Sequence, residues 1–308
     1  MGLSGGSRDL GTGTLGPDPR EPLVFRRRGD REQLLRSVTI ALVSSIVVFG
    51  GLAWVIANSP GWPAVQRSFL DGEVFADALP DVIGAFRINV QLFLISEVLI
   101  LVVGLVLAVV RSLPGPALFP FRFMAIVYVD VFRAIPGLLI IFALGFGAPG
   151  LGIEGLPTER FFWAIVTLTL VYSAYVSEVF RAGIESVHPS QDAAARSLGL
   201  SRFQALRYVV VPQAIRRVIP PLLNDFIGLQ KDTVLVSFIG VVEIFRTATI
   251  KQAANFNFTP YVAVALVFLV LTLPLSRFTD WLVARERDRR YAGVVRTGPR
   301  GRAGLGSR

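Results

Sequence analysis

The feature that most constrains this chain is the grouping of its apolar residues into six blocks. At a rise of about 1.5 Å per residue, a helix of roughly 20 apolar residues crosses the hydrocarbon core of a bilayer. Hydrophobic residues make up 53% of the 308 residues and charged residues only 17%, which is too apolar for an ordinary soluble domain. The sequence therefore predicts an all-α, polytopic membrane protein with about six transmembrane helices. The blocks cover residues 37–57, 85–110, 121–146, 161–180, 219–242 and 260–284.

Charged residues are distributed unevenly between the two sides that six spans would create. Both chain ends and residues 181–217 are rich in Arg, whereas residues 58–81 and 147–160 carry more acidic side chains. Because positively charged loops stay in the cytoplasm, this pattern predicts a multi-pass membrane protein with both termini cytoplasmic. The loop that contains Arg246 and Lys251 is an exception. A net charge of +9 is also typical of nucleic-acid binding, but arginines beside apolar blocks favour a topological role, and we expect no nucleic-acid partner.

The chain divides into four parts by composition. Residues 1–36, rich in Gly, Pro, Ser and Arg, predict a disordered basic cytoplasmic tail. Residues 37–84 predict an extra N-terminal transmembrane helix and an external loop, since this apolar block is too long and too far from Met1 for a signal peptide. Residues 85–284 hold the other five spans, and residues 285–308 predict a second basic cytoplasmic tail.

Motifs for catalysis and for metal or nucleotide binding are missing from the sequence. The chain has no Cys and a single His, His188, which is too little for a thiolate or histidine metal site. It contains no G-x-x-x-x-G-K-[ST] loop, no H-E-x-x-H and no G-x-S-x-G. We therefore predict that the chain is not an enzyme and binds no metal or cofactor of its own. If it transports actively, a separate protein must supply the energy.

The predicted cytoplasmic segment 181–217 contains signals for two short helices. Ser190 can cap the first helix, Asp192 lies in its first turn, and Gly199 is a favourable residue just beyond its end. Ser201 and Gln204 have the spacing of a capping box that opens the second, which we expect Pro212 to close. The alanines at 193–195 leave a smooth helix surface that another protein can approach closely.

The same segment carries a family resemblance. The stretch QDAAARSLGL at 191–200, with VVPQA at 210–214, resembles the EAA loop of permeases of ABC importers. In that family the loop forms a coupling helix that docks in a groove of the ATPase subunit. One departure is Ala193, where the family usually has Glu; the acid lies one residue earlier, at Asp192. The resemblance implies that ATPase coupling involves Asp192, Ala193, Ala194, Arg196, Gly199 and Leu200.

Four further stretches are similar to the branch of that family that takes up polar amino acids. They are YVDVFRAIP at 128–136, YVSEVFRAGI at 175–184, PPLLNDF at 220–226 and KDTVLVS at 231–237. The resemblance covers about residues 85–282. It implies that residues 85–284 form a type I importer transmembrane domain and that the first span is an addition to this domain. It implies a second permease subunit, identical or related, and ABC ATPase subunits that bind ATP and Mg. It also implies an extracytoplasmic substrate-binding protein that delivers an amino acid substrate.

The fifth block is expected to be surrounded by membrane lipid, yet one of its helix faces is polar. At about 100° per residue, its polar residues fall on one helix face about 120° wide. We expect this face to line the translocation path, and a buried ion-pair network between helices is the alternative. The related motif in the family usually has Gln where this chain has Asp225, which makes the face more acidic. The proposed path consists of Asn224, Asp225, Gly228, Lys231, Asp232 and, on the second block, Glu97.

Other ionisable residues fall in the third and fourth blocks. Asp130 and Arg133 are three residues apart on one helix face, as are Glu178 and Arg181. We expect these four residues to form a structural charge network, and Pro136 to kink the third span. Glu97 lies alone in the second block and faces either Lys231 or the cavity.

Two other classes of function remain open from the sequence. A self-contained secondary carrier or channel would use the buried charges for ion coupling, and repeated halves with broken helices would support it. The sequence contains no such repeat. A membrane-embedded enzyme would need a catalytic constellation, which is also missing.

Overall fold

The computed structural model describes residues 29–113 and 115–297, and these residues form helices, turns and loops without a β-strand. The predicted all-α fold is confirmed. The described residues fall into two compact units, divided between Pro63 and Ala64. The α-helices of ten or more residues are α1 (Gly29–Ser45), α4 (Gly72–Ser112), α5 (Phe119–Ala134), α8 (Arg160–Glu185), α11 (Val211–Asp232), α12 (Ile244–Asn255) and α13 (Thr259–Thr297). The shorter ones are α2 (Gly51–Ala57), α3 (Trp62–Phe69), α6 (Gly137–Phe142), α7 (Ala148–Gly150), α9 (Pro189–Ser197) and α10 (Arg202–Ala205).

The first unit contains one apolar helical segment. Helices α1 and α2 follow one another through a wide helical turn, Ile46–Gly50, so that Leu35–Ala57 is long and apolar enough to cross a membrane. This agrees with the predicted first span. The predicted disordered tail differs from the structure in its last part, because residues 29–36 belong to α1. Residues 1–28 lie outside the described part of the chain.

Helix α4 begins earlier than the second apolar block. Asp71 caps it by accepting hydrogen bonds from the backbone N–H groups of Glu73 and Val74, and the helix then runs for 41 residues. The predicted external loop is therefore mostly helical, because α3 and the first turns of α4 occupy it. The apolar pattern predicts only the membrane-spanning part of α4. The start of the helix is set by its N-cap, which is a local signal outside that pattern.

Three helices of the second unit are of spanning length and sufficient apolarity: α3 with α4, α8, and the first part of α13. Two further segments are bent pairs, Pro116–Ala134 with Gly137–Gly150 and Phe203–Ile239 with Ile244–Asn255. With the first unit, the described residues contain four spans, or six if each bent pair counts as one. The predicted number of about six is thus reached only through broken helices. Helix α13 continues to Thr297, into the predicted C-terminal tail, and residues 298–308 lie outside the described part.

The third span breaks at Pro136. The two halves meet at 104°, and Ile135 and Pro136 both have extended ψ angles between them. The predicted kink is therefore a complete break, because proline both removes a hydrogen-bond donor and pushes the preceding residue out of the helical region.

The prediction that Pro212 closes a helix is wrong. Helix α10, the wide turn Leu206–Val210 and α11 follow without interruption, and Pro212 lies in the first turn of α11. A proline is tolerated there because the wide turn before it already departs from the α-helical hydrogen-bond ladder. The fifth span therefore begins before its predicted start. Its α-helix ends at Asp232 and continues as a tighter helical segment, Thr233–Ile239.

Helix α8 is the centre of the second unit. It packs against α4, α5, α6 and α11, and the main apolar core includes Leu92 of α4, Leu168 of α8, Leu229 of α11 and Ile239 beyond it. A second core cluster, with Val82, Ile244 and Ala263, packs α12 between α4 and α13. Both parts of the broken fifth span are thus held by apolar contacts.

Candidate functional site

Helix α9 forms within the predicted coupling loop, but its cap differs from the prediction. His188 occupies the N-cap, and its Nδ1 accepts a hydrogen bond from the backbone N–H of Ser190 at 3.2 Å. Ser190 was predicted as the cap and lies inside the helix instead. The reason is Pro189, whose fixed φ suits the first helical position, so that the helix begins closer to the N-terminus than a Ser190 cap would allow.

The end of α9 and the start of α10 agree with the sequence. Gly199 has a φ of +89°, and its N–H donates to the Arg196 carbonyl at 3.0 Å. Ser201 and Gln204 form the predicted capping box: the Ser201 N–H donates to Gln204 Oε1 at 2.9 Å, and the Gln204 N–H donates to Ser201 Oγ at 3.3 Å. The segment is therefore a pair of short, capped helices with a left-handed turn between them.

The predicted coupling residues lie on one accessible surface. Ala193, Ala194, Arg196 and Gly199 are exposed, and Asp192 and Leu200 are partly exposed, whereas Ala195 faces inward. Leu198, which sequence reasoning missed, is 86% exposed beside Gly199. A single exposed apolar side chain is common on protein surfaces, so Leu198 adds apolar area beside the helix but does not by itself identify a docking site. The sequence carries no pattern that distinguishes this leucine.

The predicted charge network is present in part, with a different centre. Glu178 Oε1 accepts a 2.6 Å hydrogen bond from Arg111, and Glu178 Oε2 lies 2.6 Å from Arg181. Arg133 lies 3.7 Å from the same carboxylate. Asp130 is exposed and has no ion pair within 4.0 Å among the described residues. Arg111, which directly follows the second apolar block, was not identified from the sequence as part of this network.

The predicted polar face of α11 is accessible in the single chain. Asn224 and Lys231 are exposed, while Asp225, Gly228 and Asp232 are partly exposed. Thr233 and Ser237, which follow α11, are buried. Lys231 makes no ion pair within 4.0 Å among the described residues. The face therefore keeps its charges uncompensated within this unit.

Tyr172 of α8 covers part of this face. Its hydroxyl donates a 2.7 Å hydrogen bond to Asp232 Oδ2. Gly228 allows the close approach, since a Cβ at that position would lie 3.3 Å from the Tyr172 hydroxyl oxygen. The tyrosine was not identified from the sequence, because a single aromatic residue in an apolar block has no distinctive pattern.

Glu97 turns toward the acidic part of the face. It is partly buried and close enough to Asp225 for the two carboxyl groups to interact electrostatically. Asp225 Oδ2 is buried and has no hydrogen-bond partner in the described part of the chain. Among the described residues Glu97 makes no ion pair with Lys231 and interacts with Asp225 instead, and its place in a cavity stays a prediction. Glu97, Asp225 and Asp232 form the group that we call the acidic cluster.

A buried polar clamp holds the break in the fifth span. Glu243 is fully buried and caps α12 by accepting hydrogen bonds from the N–H groups of Phe245 and Arg246 at 3.0 and 2.8 Å. Asn89 of α4 donates to Glu243 Oε2 at 2.9 Å and accepts from the Ile244 N–H at 3.1 Å. The start of α12 is therefore fixed to α4.

Lys251, one of the two basic residues in the loop that departs from the charge rule, is paired with two carboxylates. Its Nζ lies 2.8 Å from both Asp77 Oδ2 and Asp81 Oδ2 on α4. A lysine neutralised by two carboxylates carries no excess positive charge, so it need not follow the distribution of unpaired arginines.

Comparisons with known proteins agree on one kind of protein. A family model described as "Binding-protein-dependent transport system inner membrane component" matches residues 100–288. The probable amino-acid permease protein YxeN of Bacillus subtilis (strain 168) is 35% identical over 72% of this chain and 98% of its own length. The probable glutamine ABC transporter permease protein GlnM of the same organism is 37% identical over 62% of this chain and 88% of its own.

Solved structures include a similar chain. The crystal structure of an amino acid ABC transporter with histidines contains a chain that superposes with a TM-score of 0.63 at 31% identity. The match covers 70% of the present chain and 98% of the other. The part of the present chain outside this match is about the size of the extra first helix together with the two tails.

Proposed function

Because this chain belongs to the family of binding-protein-dependent transport system inner membrane components, we propose that it is the permease subunit of an ATP-driven importer of polar amino acids. The observation that carries the proposal is the exposed helix α9, with Ala193, Ala194, Arg196 and Gly199 at its surface. A short capped helix outside the spans is suited to transmit movement from an ATPase to the spans. The amino acid class comes from the relatives named above and from the zwitterionic character of the polar face.

The partners follow from the family and from the chain itself. Binding-protein-dependent systems combine the membrane component with an ATPase and with a binding protein on the extracytoplasmic side. For this chain we propose two ABC ATPase subunits, which bind ATP and Mg, and a second permease subunit, identical or related. The exposed polar face of α11, with Asn224 and Lys231, needs such a neighbour or an aqueous path, because an uncovered charge in lipid is costly.

The protein is a multi-pass inner-membrane protein, and its orientation is part of the proposal. Coupling to a cytoplasmic ATPase requires α9 on the cytoplasmic side, which places both termini there if six spans are present. The test is labelling of a cysteine introduced near the C-terminus, at Ala303, in intact cells. Reaction with a membrane-impermeant external thiol reagent would contradict this topology, and reaction only after lysis supports it.

The translocation path is proposed along the polar face of α11. The support is the shared position of Asn224, Asp225, Lys231 and Asp232, together with the approach of Glu97 to Asp225. Each acidic residue can interact with an ammonium or guanidinium group of a passing substrate. The Tyr172 hydroxyl, which donates to Asp232, adds a polar group to the same surface.

The deciding experiment is uptake by reconstituted vesicles. We expect accumulation of an amino acid only when the ATPase, the binding protein and internal ATP are all present. The alternative is a self-contained secondary carrier, which would accumulate the amino acid from an ion gradient without the ATPase. Gradient-driven uptake by the chain alone would therefore overturn the proposal.

A further inference from the structure

A cavity of 310 Å³ lies at the end of α8 that is opposite to α9. Its volume is at the lower end of the range for small-ligand sites, which is about 300 to 1,000 Å³. Its polar side chains are Arg160 at the start of α8, Ser237 in the segment after α11, and Arg246 and Thr249 of α12. Aromatic rings, among them Phe238 and Phe245, complete the wall. We call this site the arginine cavity.

Both arginines are available for a ligand. Neither guanidinium group has an ion pair within 4.0 Å or a hydrogen bond among the described residues, although both arginines line the same cavity. Two positive groups at one site repel each other, so the arrangement favours a bound anion. A planar guanidinium group matches a carboxylate in geometry, since it can donate two parallel hydrogen bonds.

The position of Arg160 depends on Gly240. Gly240 has a φ of +87°, and a Cβ at this position would lie 2.5 Å from Arg160 Nη1 and 3.2 Å from its Cζ. The guanidinium group therefore packs directly on the glycine, and a β-carbon at this position would displace it. Gly240 thus leaves the space that Arg160 occupies at the cavity, and we treat it as a positioning residue.

Ser237 in the wall of the same cavity carries a hydroxyl group without a partner. Its side chain is only 4% exposed, and its Oγ is buried without a hydrogen-bond partner in the described part of the chain. A buried hydroxyl without a partner is destabilising, so native proteins seldom leave one. A rotation of the Ser237 side chain toward the cavity would bring this hydroxyl within reach of a bound acceptor atom.

The N-terminus of α12 does not contribute donors to this site. Asn89 accepts from the Ile244 N–H, and Glu243 accepts from the N–H groups of Phe245 and Arg246. An anion in the arginine cavity would therefore be held by side chains alone, namely the two guanidinium groups and the Ser237 hydroxyl.

We propose that the arginine cavity binds the α-carboxylate of the amino acid on its way through the permease, which rests on the proposed function. Part of the acidic cluster lies close to the arginine cavity along the chain, since Asp232 is five residues before Ser237. One region thus binds the carboxylate and the other binds positively charged groups. An acidic side chain of the external binding protein offers the same chemistry, and the experiment separates the two sources.

The test is equilibrium binding to the purified permease–ATPase complex without the binding protein. The probes are L-glutamine and L-arginine, each compared with its α-carboxamide, which lacks the negative charge. We expect the acids to bind at least tenfold more tightly than the amides. Arg160→Gln and Arg246→Gln should each weaken binding of the acids by about 10- to 100-fold, the range for a hydrogen bond to a charged group, and leave the amides unchanged.

Two further variants and a control sharpen the test. Arg160→Lys keeps the charge but loses the paired donors, and Gly240→Ala displaces the guanidinium group; both should lose discrimination between acid and amide. Arg277→Gln is the control, because that side chain is 83% exposed on α13 and distant in sequence from the cavity residues. It should bind both probes as the unmodified complex does.

Several outcomes would overturn the inference. Full acid-over-amide discrimination in Arg160→Gln and Arg246→Gln would do so, as would a complex that binds neither acid. If the variants weaken docking of the binding protein but not binding of the acids, the carboxylate comes from that protein and the substrate site is refuted. The proposed function fails separately, when unmodified vesicles with all components accumulate no amino acid.

Discussion

Arg111 at the end of α4 donates a 2.6 Å hydrogen bond to Glu178 on α8, across 67 residues of sequence. Arg181 and Arg133 approach the same carboxylate, so that Glu178 joins α4, α5 and α8 at one point. The side chains of Glu178 and Arg111 are mostly buried, at 19% and 12% exposure. The cluster has a net positive charge, because its three arginines are balanced by only two carboxylates, those of Glu178 and Glu185.

Removal of the central carboxylate should destabilise the protein. Glu178→Gln leaves three arginines close together with one charged acceptor fewer, and we expect a loss of about 1.5 to 3 kcal/mol, as for a hydrogen bond to a charged group. Thermal unfolding in detergent measures this as a fall in Tm. Glu185→Gln is the matched control, since its side chain is 60% exposed and should matter less. An equal or larger fall for the control would refute the central role of Glu178.

Substitution of Gly199 should uncouple the permease from its ATPase. Gly199→Asp places a side chain at a φ of +89° and adds a charge to the docking surface of α9. We expect normal insertion in the membrane but loss of substrate-stimulated ATPase activity in the reconstituted complex. Gly199→Asn is the control, because Asn tolerates the left-handed region better and adds no charge. Unchanged stimulation in Gly199→Asp would contradict the coupling role.

Neutralisation of Asp225 should change substrate preference. Asp225 belongs to the acidic cluster with Glu97, and its Oδ2 has no partner among the described residues. We expect Asp225→Asn to lower uptake of cationic amino acids relative to neutral ones by about tenfold, equivalent to one charged contact of about 1.4 kcal/mol. The measurement is competitive uptake in vesicles that contain the ATPase and the binding protein.

A control separates this effect from a general change of charge. Asp280→Asn removes an aspartate of α13 whose side chain is 72% exposed, and it should leave the preference unaltered. If Asp225→Asn also leaves the preference unaltered, Asp225 is structural and the acidic cluster does not contact the substrate.

Substitution of the buried N-cap residue of α12 should destabilise the protein far more than substitution of an exposed N-cap residue. Glu243 accepts two backbone N–H bonds and the Asn89 amide, whereas Glu159 stands at the N-cap of α8, exposed and without a capping hydrogen bond. Glu243→Gln should cost about 1 to 3 kcal/mol because an amide nitrogen then faces N–H donors. Glu159→Gln should cost less than about 0.5 kcal/mol. Similar falls in Tm for both would argue against the clamp.

Several features of the site could be predicted from the sequence because they depend on neighbours along the chain. The left-handed Gly199 and the capping box of Ser201 and Gln204 involve residues at most four positions apart. The polar face of α11 follows from helical periodicity alone, which relates Asp225 to Gly228 and Asp232. The cap of α9 was misplaced because two local signals competed, and Pro189 prevailed over Ser190.

The apolar blocks, and with them the all-α membrane fold, follow from the amino-acid sequence alone, since the length of a spanning helix depends only on bilayer thickness. The sequence also predicts a kink of the third span at Pro136, because a proline lacks an N–H wherever it occurs. Helix packing in the folded chain sets the angle of the break, the partner of Glu178, the clamp of Asn89 on Glu243 and the position of Arg160 on Gly240. These contacts join residues 67 to 154 positions apart, so they depend on which helices pack together, and helix packing is set by the whole core rather than by any local pattern.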